Sequence, residues 1–156
     1  MIEAWRIVKR RYIDTAFDGE GARRFGGRWN SPGRPVVYVS ESRALATLEI
    51  LAGLGTTGPL PAWVTIGVRL PAEIVVSVED LLDPAGLPDG WNAAPPTFVS
   101  QGIGDRWLEE APSAVLRVPS VIVPAEHNYL LNPRHPEFAR IEIGEPEELR
   151  LDPRLT

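Results

Sequence analysis

Between residues 63 and 70 the chain alternates. Val64, Ile66, Val68 and Leu70 fall on one side, and Trp63, Thr65, Gly67 and Arg69 on the other. A period of two predicts a β-strand with one face on the core. Residues 3–9 and the apolar run 36–40 predict two further strands, and residues 73–78 another. Two strand-like runs, 114–118 and 120–123, flank Pro119, while 140–143 and 149–151 suit edge strands. Residues 42–53 form the best helical segment, rich in Ala and Leu, with Gly53 placed to end it. A second helix is expected over 100–110, weakened by Gly102 and Gly104. The glycine-rich segment 17–35 and the proline-rich segment 84–97 read as long loops. Many short strands with two helices predict an α+β domain rather than a doubly wound parallel sheet. Neither an internal repeat nor a long linker divides the sequence, so one domain over 1–156 is expected.

The bulk properties narrow the function. At 156 residues with 44% hydrophobic positions, the chain can bury a real core. Its formal net charge of −5 argues against a surface that coats DNA or RNA, which needs clustered positive charge. Without cysteine, neither a disulfide framework nor a thiolate metal site can form. The N-terminal stretch MIEAWRIVKRRY is too charged for a signal peptide, and no apolar run approaches spanning length, so a cytoplasmic location with no membrane attachment is expected. Of the 16 basic residues only Lys9 is a lysine; genomic base composition accounts for this more readily than a need for arginine forks.

Several residues suit chemistry. The loop GEGARRFGGRWNSPG, residues 19–33, combines backbone that can approach a ligand with arginines able to grip phosphate oxygens. It is neither a Walker loop nor a dinucleotide fingerprint, because no Gly-Lys-Ser/Thr and no following helix are present. Taken alone, it also suits a solvated surface loop. Glu49 lies in a helix that is apolar almost all round, flanked by Leu45, Ala46 and Ala52. A carboxylate there costs free energy unless it is paired or opens into a polar cleft. Tyr38, in the middle of VVYVS, suits core packing or stacking against a flat ring. Arg6 interrupts an apolar strand segment, and Ser120 opens the run SVIVP, where it suits a strand-end cap as well as a site residue. His127 and His135 are the only histidines; their spacing and the intervening Asn132-Pro133 fit a turn better than a zinc site, and no metal is expected. A serine hydrolase is disfavoured too, since there is no Gly-x-Ser-x-Gly elbow.

Taken in order, these segments resemble the RES-domain family. The likeness runs from Trp5-Arg6 through Gly21-Ala22, Gly26-Gly27-Arg28-Trp29-Asn30, Val37-Tyr38-Val39-Ser40 and Leu48-Glu49. It continues to Ser120-Val121-Ile122-Val123-Pro124 and Asn128-Tyr129-Leu130-Leu131-Asn132-Pro133. The arginine, glutamate and serine that give the family its name correspond to Arg28, Glu49 and Ser120. The resemblance implies an ADP-ribosyltransferase-like fold, with a split β-sheet core and flanking short helices. It implies a toxin of a toxin–antitoxin pair that consumes NAD at the nicotinamide–ribose bond, by hydrolysis or by phosphorolysis with inorganic phosphate as co-substrate. It also implies an Xre-type helix-turn-helix antitoxin as partner in a hetero-oligomer, with DNA binding left to that partner.

The residue types suit this chemistry. Cleavage of a ribosyl bond passes through an oxocarbenium-like state. Nicotinamide leaves neutral, so the useful contributions are negative charge near the forming cation and a grip on the ribose hydroxyls. On the implied assignment Glu49 supplies these. Arg28, with Arg6, holds the diphosphate, Tyr38 packs on the nicotinamide-ribose end, and Ser120 positions ribose, phosphate or an arginine. Arg28, Tyr38 and Glu49 are thus the expected catalytic residues, with Arg6 and Ser120 binding substrate. Two other functions compete: transfer of ADP-ribose to a protein, and a catalytically inactive regulatory binding protein. No acidic residue stands among Ala46, Thr47 and Leu48 to prime a protein acceptor, which favours a small one.

Overall fold

A computed structural model of the chain describes residues 1–53 and 62–155. Among the described residues seven strands form one mixed sheet. They are β1 (Ile2–Lys9), β2 (Val37–Ser40), β3 (Trp63–Leu70), β4 (Val75–Ser77), β5 (Val115–Pro119), β6 (His127–Leu131) and β7 (Glu142–Leu149). Four α-helices accompany them among the described residues: α1 (Glu20–Phe25), α2 (Arg43–Gly53), α3 (Val78–Leu82) and α4 (Phe98–Glu110). The strand order is β4-β5-β6-β2-β1-β3-β7, and only the β4–β5 pair is parallel. This is an α+β architecture, as expected.

Both faces of the sheet are covered. On one, Ala4, Val37, Val39, Val68, Leu70, Val115 and Leu131 pack with Ile74 and Ile141. On the other, Leu116, Val118 and Leu130 meet Trp107 and Leu108 of α4, while Ile7 and Trp63 meet Ala46 of α2. Trp63 and Thr65 are therefore buried along with Val64 and Ile66. The alternation located β3 correctly but understated its burial, because residues of α2 pack against Trp63 on its second face.

The sheet is split at its centre. β1 pairs with β3 along its full length, from Ile2↔Leu70 to Lys9↔Trp63, but meets β2 at the single pair Trp5↔Ser40. Beyond that pair the strands part, and Arg6 fills the gap. Its Nε donates to the Ala16 carbonyl at 2.6 Å and its Nη1 to the Tyr38 carbonyl at 3.1 Å. A buried carbonyl that lacks its ladder partner must find another donor. Here the guanidinium supplies one, so a charged residue in an apolar strand becomes the wedge that holds the split.

Several local expectations change. The glycine-rich segment contains the short helix α1, ended by Gly26 at φ 73. Residues 120–123 form a bend, because the Ser120 hydroxyl accepts from the Ile122 and Val123 N–H groups, both at 3.1 Å, and turns the chain. The strand lies further on, at β6, in a stretch that reads as a turn. The two proposed edge pieces are parts of one exposed edge strand, β7, irregular where it faces Ile66 and Val68.

Helix α4 starts at Phe98, with the Thr97 hydroxyl accepting from the Val99 N–H at 3.3 Å as its cap. Its glycines look like helix defects, yet Gly104 has a packing reason. A Cβ there would lie 1.7 Å from the Trp29 carbonyl oxygen. The absent side chain lets α4 press directly on the loop before β2.

Candidate active site

One face of α4 builds the loop of residues 26–31. Ser100 Oγ donates to the Arg28 carbonyl at 2.6 Å, and Gln101 Nε2 to the Gly27 carbonyl at 3.1 Å. Asp105 accepts from the Ser31 N–H at 3.0 Å. Positions 100, 101, 104 and 105 share one side of a helix, so a single surface fixes the whole loop. From β2, Tyr38 closes the loop from below. Its hydroxyl donates to Asn30 Oδ1 at 2.6 Å and accepts from the Trp29 N–H at 3.1 Å. A Cβ on Gly27 would come within 2.8 Å of that hydroxyl, so this glycine is required by close approach. Burial, the largest influence on Tyr38, pushes its phenol well above the ordinary tyrosine range and keeps it protonated.

Arg28 leaves this loop towards a cleft. Its Nη1 is held by the Ala93 carbonyl and, at 3.3 Å, by the Trp91 carbonyl, both in the proline-rich segment. Trp91 stacks on Trp29 with ring centroids 5.9 Å apart, which seats that segment against the loop. Burial lowers the Arg28 pKa, and the negative charge of Glu49 opposes that shift.

Glu49 sits half-buried on α2, one turn beyond the buried Leu45 and Ala46. Its Oε1 accepts two hydrogen bonds, from Ser120 Oγ at 2.7 Å and from Asn128 Nδ2 at 2.9 Å. Both donors are themselves fixed. The Ser120 oxygen already accepts from two backbone N–H groups, so its proton is directed at Glu49. The Asn128 carbonyl accepts from Ser40 Oγ at 2.7 Å, which turns its amide nitrogen towards Glu49. The clamp engages one carboxylate oxygen, and the Glu49 side chain also lines the cleft.

That cleft encloses about 820 Å³, a size suited to a small-molecule ligand. Arg6, Arg28, Tyr38 and Glu49 all line it, whereas Ser120 lies behind Glu49 and reaches it only through the carboxylate. Arg6 lines the cleft with Nε and Nη1 bonded to protein carbonyls. Burial draws its pKa down to about 10, opposed by Asp18, which leaves it charged near neutrality. Asn128 was missed among the expected site residues. Its place in the run NYLLNP offered a signal, but the contact with Glu49 spans 79 positions.

The histidines lie elsewhere. The His127 ring nitrogens approach Arg117 Nη2 at 3.2 and 3.0 Å, and His135 Nδ1 accepts from the Glu137 N–H at 3.0 Å, capping a short turn. Among the described residues no group of three His, Asp or Glu side chains is arranged to hold a metal ion, and no helix is long and apolar enough to cross a membrane.

Comparisons with known proteins agree with this picture. The chain is 40% identical over 154 residues to the "Prs ADP-ribosylating toxin" of Sphingobium sp. (strain YBL2), covering 97% of this chain and 94% of that protein. It is 39% identical over 134 residues to "Toxin Res" of Photorhabdus laumondii, covering 86% and 83%. The crystal structure of the M. tuberculosis MbcT–MbcA toxin–antitoxin complex contains a chain of similar fold. It matches with a TM-score of 0.68 at 19% identity, over 94% of this chain and 83% of that one. The model of the RES domain matches residues 3–152, and the chain belongs to the RES domain family.

Proposed function

We propose that this chain is the toxin of a toxin–antitoxin pair and that it destroys NAD by cleaving the nicotinamide–ribose bond. The observation that carries the reading is the clamped Glu49. Two donors hold Oε1, and Glu49 lines a cleft that Arg28 lines as well. A fixed carboxylate oxygen stabilises positive charge as it develops, without first reorganising.

In the proposed reaction the bond between ribose C1′ and the nicotinamide nitrogen breaks. The bonding electron pair departs with nicotinamide, which becomes neutral. Glu49 Oε2 faces the resulting oxocarbenium-like carbon and accepts from a ribose hydroxyl. Water adds at C1′ and releases its proton to solvent, or inorganic phosphate adds through an oxygen to give the ribosyl phosphate. Arg28 presents its remaining guanidinium donors to the diphosphate, while Tyr38 holds the Gly27–Asn30 loop and offers its ring to the nicotinamide-ribose end. Ser120 and Asn128 act through Glu49.

A second reading, transfer of ADP-ribose to a protein, is favoured by the name of the Sphingobium relative. Against it stands the ground beside Glu49. Thr47 is the polar side chain closest in sequence before it, and its hydroxyl donates back to the Arg43 carbonyl at 2.8 Å. No acidic group on that turn can prime an acceptor, so small acceptors suit the site better. The partner that would restrain such an enzyme is an Xre-type helix-turn-helix antitoxin covering the cleft. The net charge of −5 leaves any operator binding to that partner.

The deciding experiment incubates purified, antitoxin-free chain with NAD, with and without inorganic phosphate, and resolves the products by chromatography. Nicotinamide with ADP-ribose or its phosphate is expected. Unchanged NAD under both conditions would overturn the enzymatic reading, and ADP-ribose found only on protein would favour the second.

A further inference from the structure

The lining of the cleft carries cations beyond those of the site described above. An NAD-sized anion needs cations for its diphosphate, and two arginines of the cleft, Arg6 and Arg28, spend part of their donors on protein carbonyls. Arg6 donates to the Ala16 and Tyr38 carbonyls, and Arg28 is anchored by Trp91 and Ala93. Two other cations line the same cleft: Lys9 at the end of β1, and Arg24 in α1. Among the described residues neither is joined to a carboxylate within ion-pair distance, whereas the adjacent Arg23 is paired with Glu20 at 2.7 Å. Asp18 and Glu20, which also line the cleft, are already engaged. Glu20 holds Arg23, and Asp18 accepts from the Glu20 N–H at 2.9 Å and lies within the field of Arg6.

Beside Arg24 stands Phe25, which lines the cleft and is 81% exposed. A phenyl ring left this bare contributes nothing to the core, and it is a flat apolar face suited to stacking on a purine. Tyr12 also lines the cleft and is exposed, but the Arg11 guanidinium already sits 4.9 Å from its ring centroid. Phe25 is therefore the freer platform.

From this juxtaposition we infer that Lys9, Arg24 and Phe25 form the subsite for the adenosine diphosphate half of the ligand, with the two cations on the diphosphate and Phe25 under the adenine. The inference rests on the NAD reading above for the other half of the site, but its test does not depend on turnover.

The full chain is titrated calorimetrically with ADP and, separately, with inorganic pyrophosphate. Lys9→Ala and Arg24→Ala should each weaken both ligands about tenfold, an effect that shrinks as salt rises. Phe25→Ala should weaken ADP about tenfold and leave pyrophosphate within about twofold. Thermal melts of all three variants should match the parent, since these side chains extend into the cleft. An ADP affinity shared by the parent and all three variants, or no ADP binding by the parent, overturns the subsite. ADP binding through these residues in a chain that never consumes NAD keeps the subsite and overturns the NAD reading. NAD turnover with ADP affinity indifferent to all three substitutions does the reverse.

Discussion

Ser120 Oγ stands 2.7 Å from Glu49 Oε1, a contact that joins residues 71 positions apart. It turns a half-buried glutamate of α2 into a defined carboxylate. Glu49→Gln probes that charge with little structural change, because the glutamine carbonyl can accept from Ser120 and Asn128 as Oε1 does. Turnover of NAD should fall by about 10² or more, the usual scale for losing a preorganised electrostatic contact. The melting temperature should stay within a few degrees of the parent. Retained turnover would mean that Glu49 is not the group facing the developing cation.

Removing the clamp should act more gently than removing the charge. Ser120→Ala deletes a hydrogen bond to a charged group, worth about 1.5–3 kcal/mol, but Asn128 still holds Oε1. The expected loss is about tenfold in kcat, with KM within about twofold, because Ser120 lies behind the carboxylate and not in the cleft. Adding Asn128→Ala should cost more than the sum of the two single losses, since the donors share one acceptor. Steady-state kinetics on the single and double variants provide the check.

Arg28→Lys should prove costly despite the conserved charge. One guanidinium nitrogen is spent on the Trp91 and Ala93 carbonyls, and the others remain to meet a ligand. A lysine ammonium cannot span both tasks with one nitrogen. KM for NAD should rise about tenfold or more, with a smaller change in kcat. Identical Michaelis constants would remove Arg28 from substrate binding.

How far these features could be read in advance depended on how local their causes are. β1, β2, α2 and β3 were legible because each declares itself within a few residues. Glu49 stood out for the same reason: its own helix offers it no polar company. The strand β6 was hidden because His127 and Asn128 are polar and Asn132-Pro133 follows closely, whereas its strand character comes from pairing with β2 and β5. The run from Ser120 looked like a strand by composition, and one hydroxyl turned it into a bend. Asn128 could not be linked to Glu49 without tertiary structure. Gly104 counted against a helix locally, although contact with Trp29 is what demands it. The role of Arg6 as a wedge emerged only once the β1–β2 ladder was seen to end after one pair.

Arg6→Met tests that wedge. The substitution keeps a long side chain in the gap but leaves the Ala16 and Tyr38 carbonyls without their donor. An unsatisfied buried polar group costs about 1–3 kcal/mol, so unfolding stability should drop by roughly 2–5 kcal/mol, and Arg6→Lys should recover part of the loss. Denaturant titration measures this. A variant as stable as the parent that shows only a raised KM for NAD would instead assign Arg6 to the ligand.

The last prediction concerns Tyr38 and pH. Its hydroxyl both donates to Asn30 and accepts from Trp29, and burial raises its pKa above the ordinary value of 10.0. The folded state therefore keeps this proton at pH values where the unfolded chain has begun to lose it. Between the unfolded and folded values the native state binds more protons, so stability falls as pH rises. The contribution is fully present below about pH 10 and is lost as pH climbs through the raised folded value. Tyr38→Phe removes both hydrogen bonds and the titration together. At pH 7 the variant should be less stable by about 1–3 kcal/mol and should bind NAD more weakly, because the Gly27–Asn30 loop loses its anchor. Above pH 10 the gap between parent and variant should narrow, because only the parent carries the Tyr38 penalty. Tyr129, also raised chiefly by burial, is present in both proteins and cancels from the difference. Paired denaturant titrations at pH 7 and above pH 10 test the sign. A gap that stays constant or widens at high pH would show that the Tyr38 phenol does not hold its proton in the way its buried hydrogen bonds require.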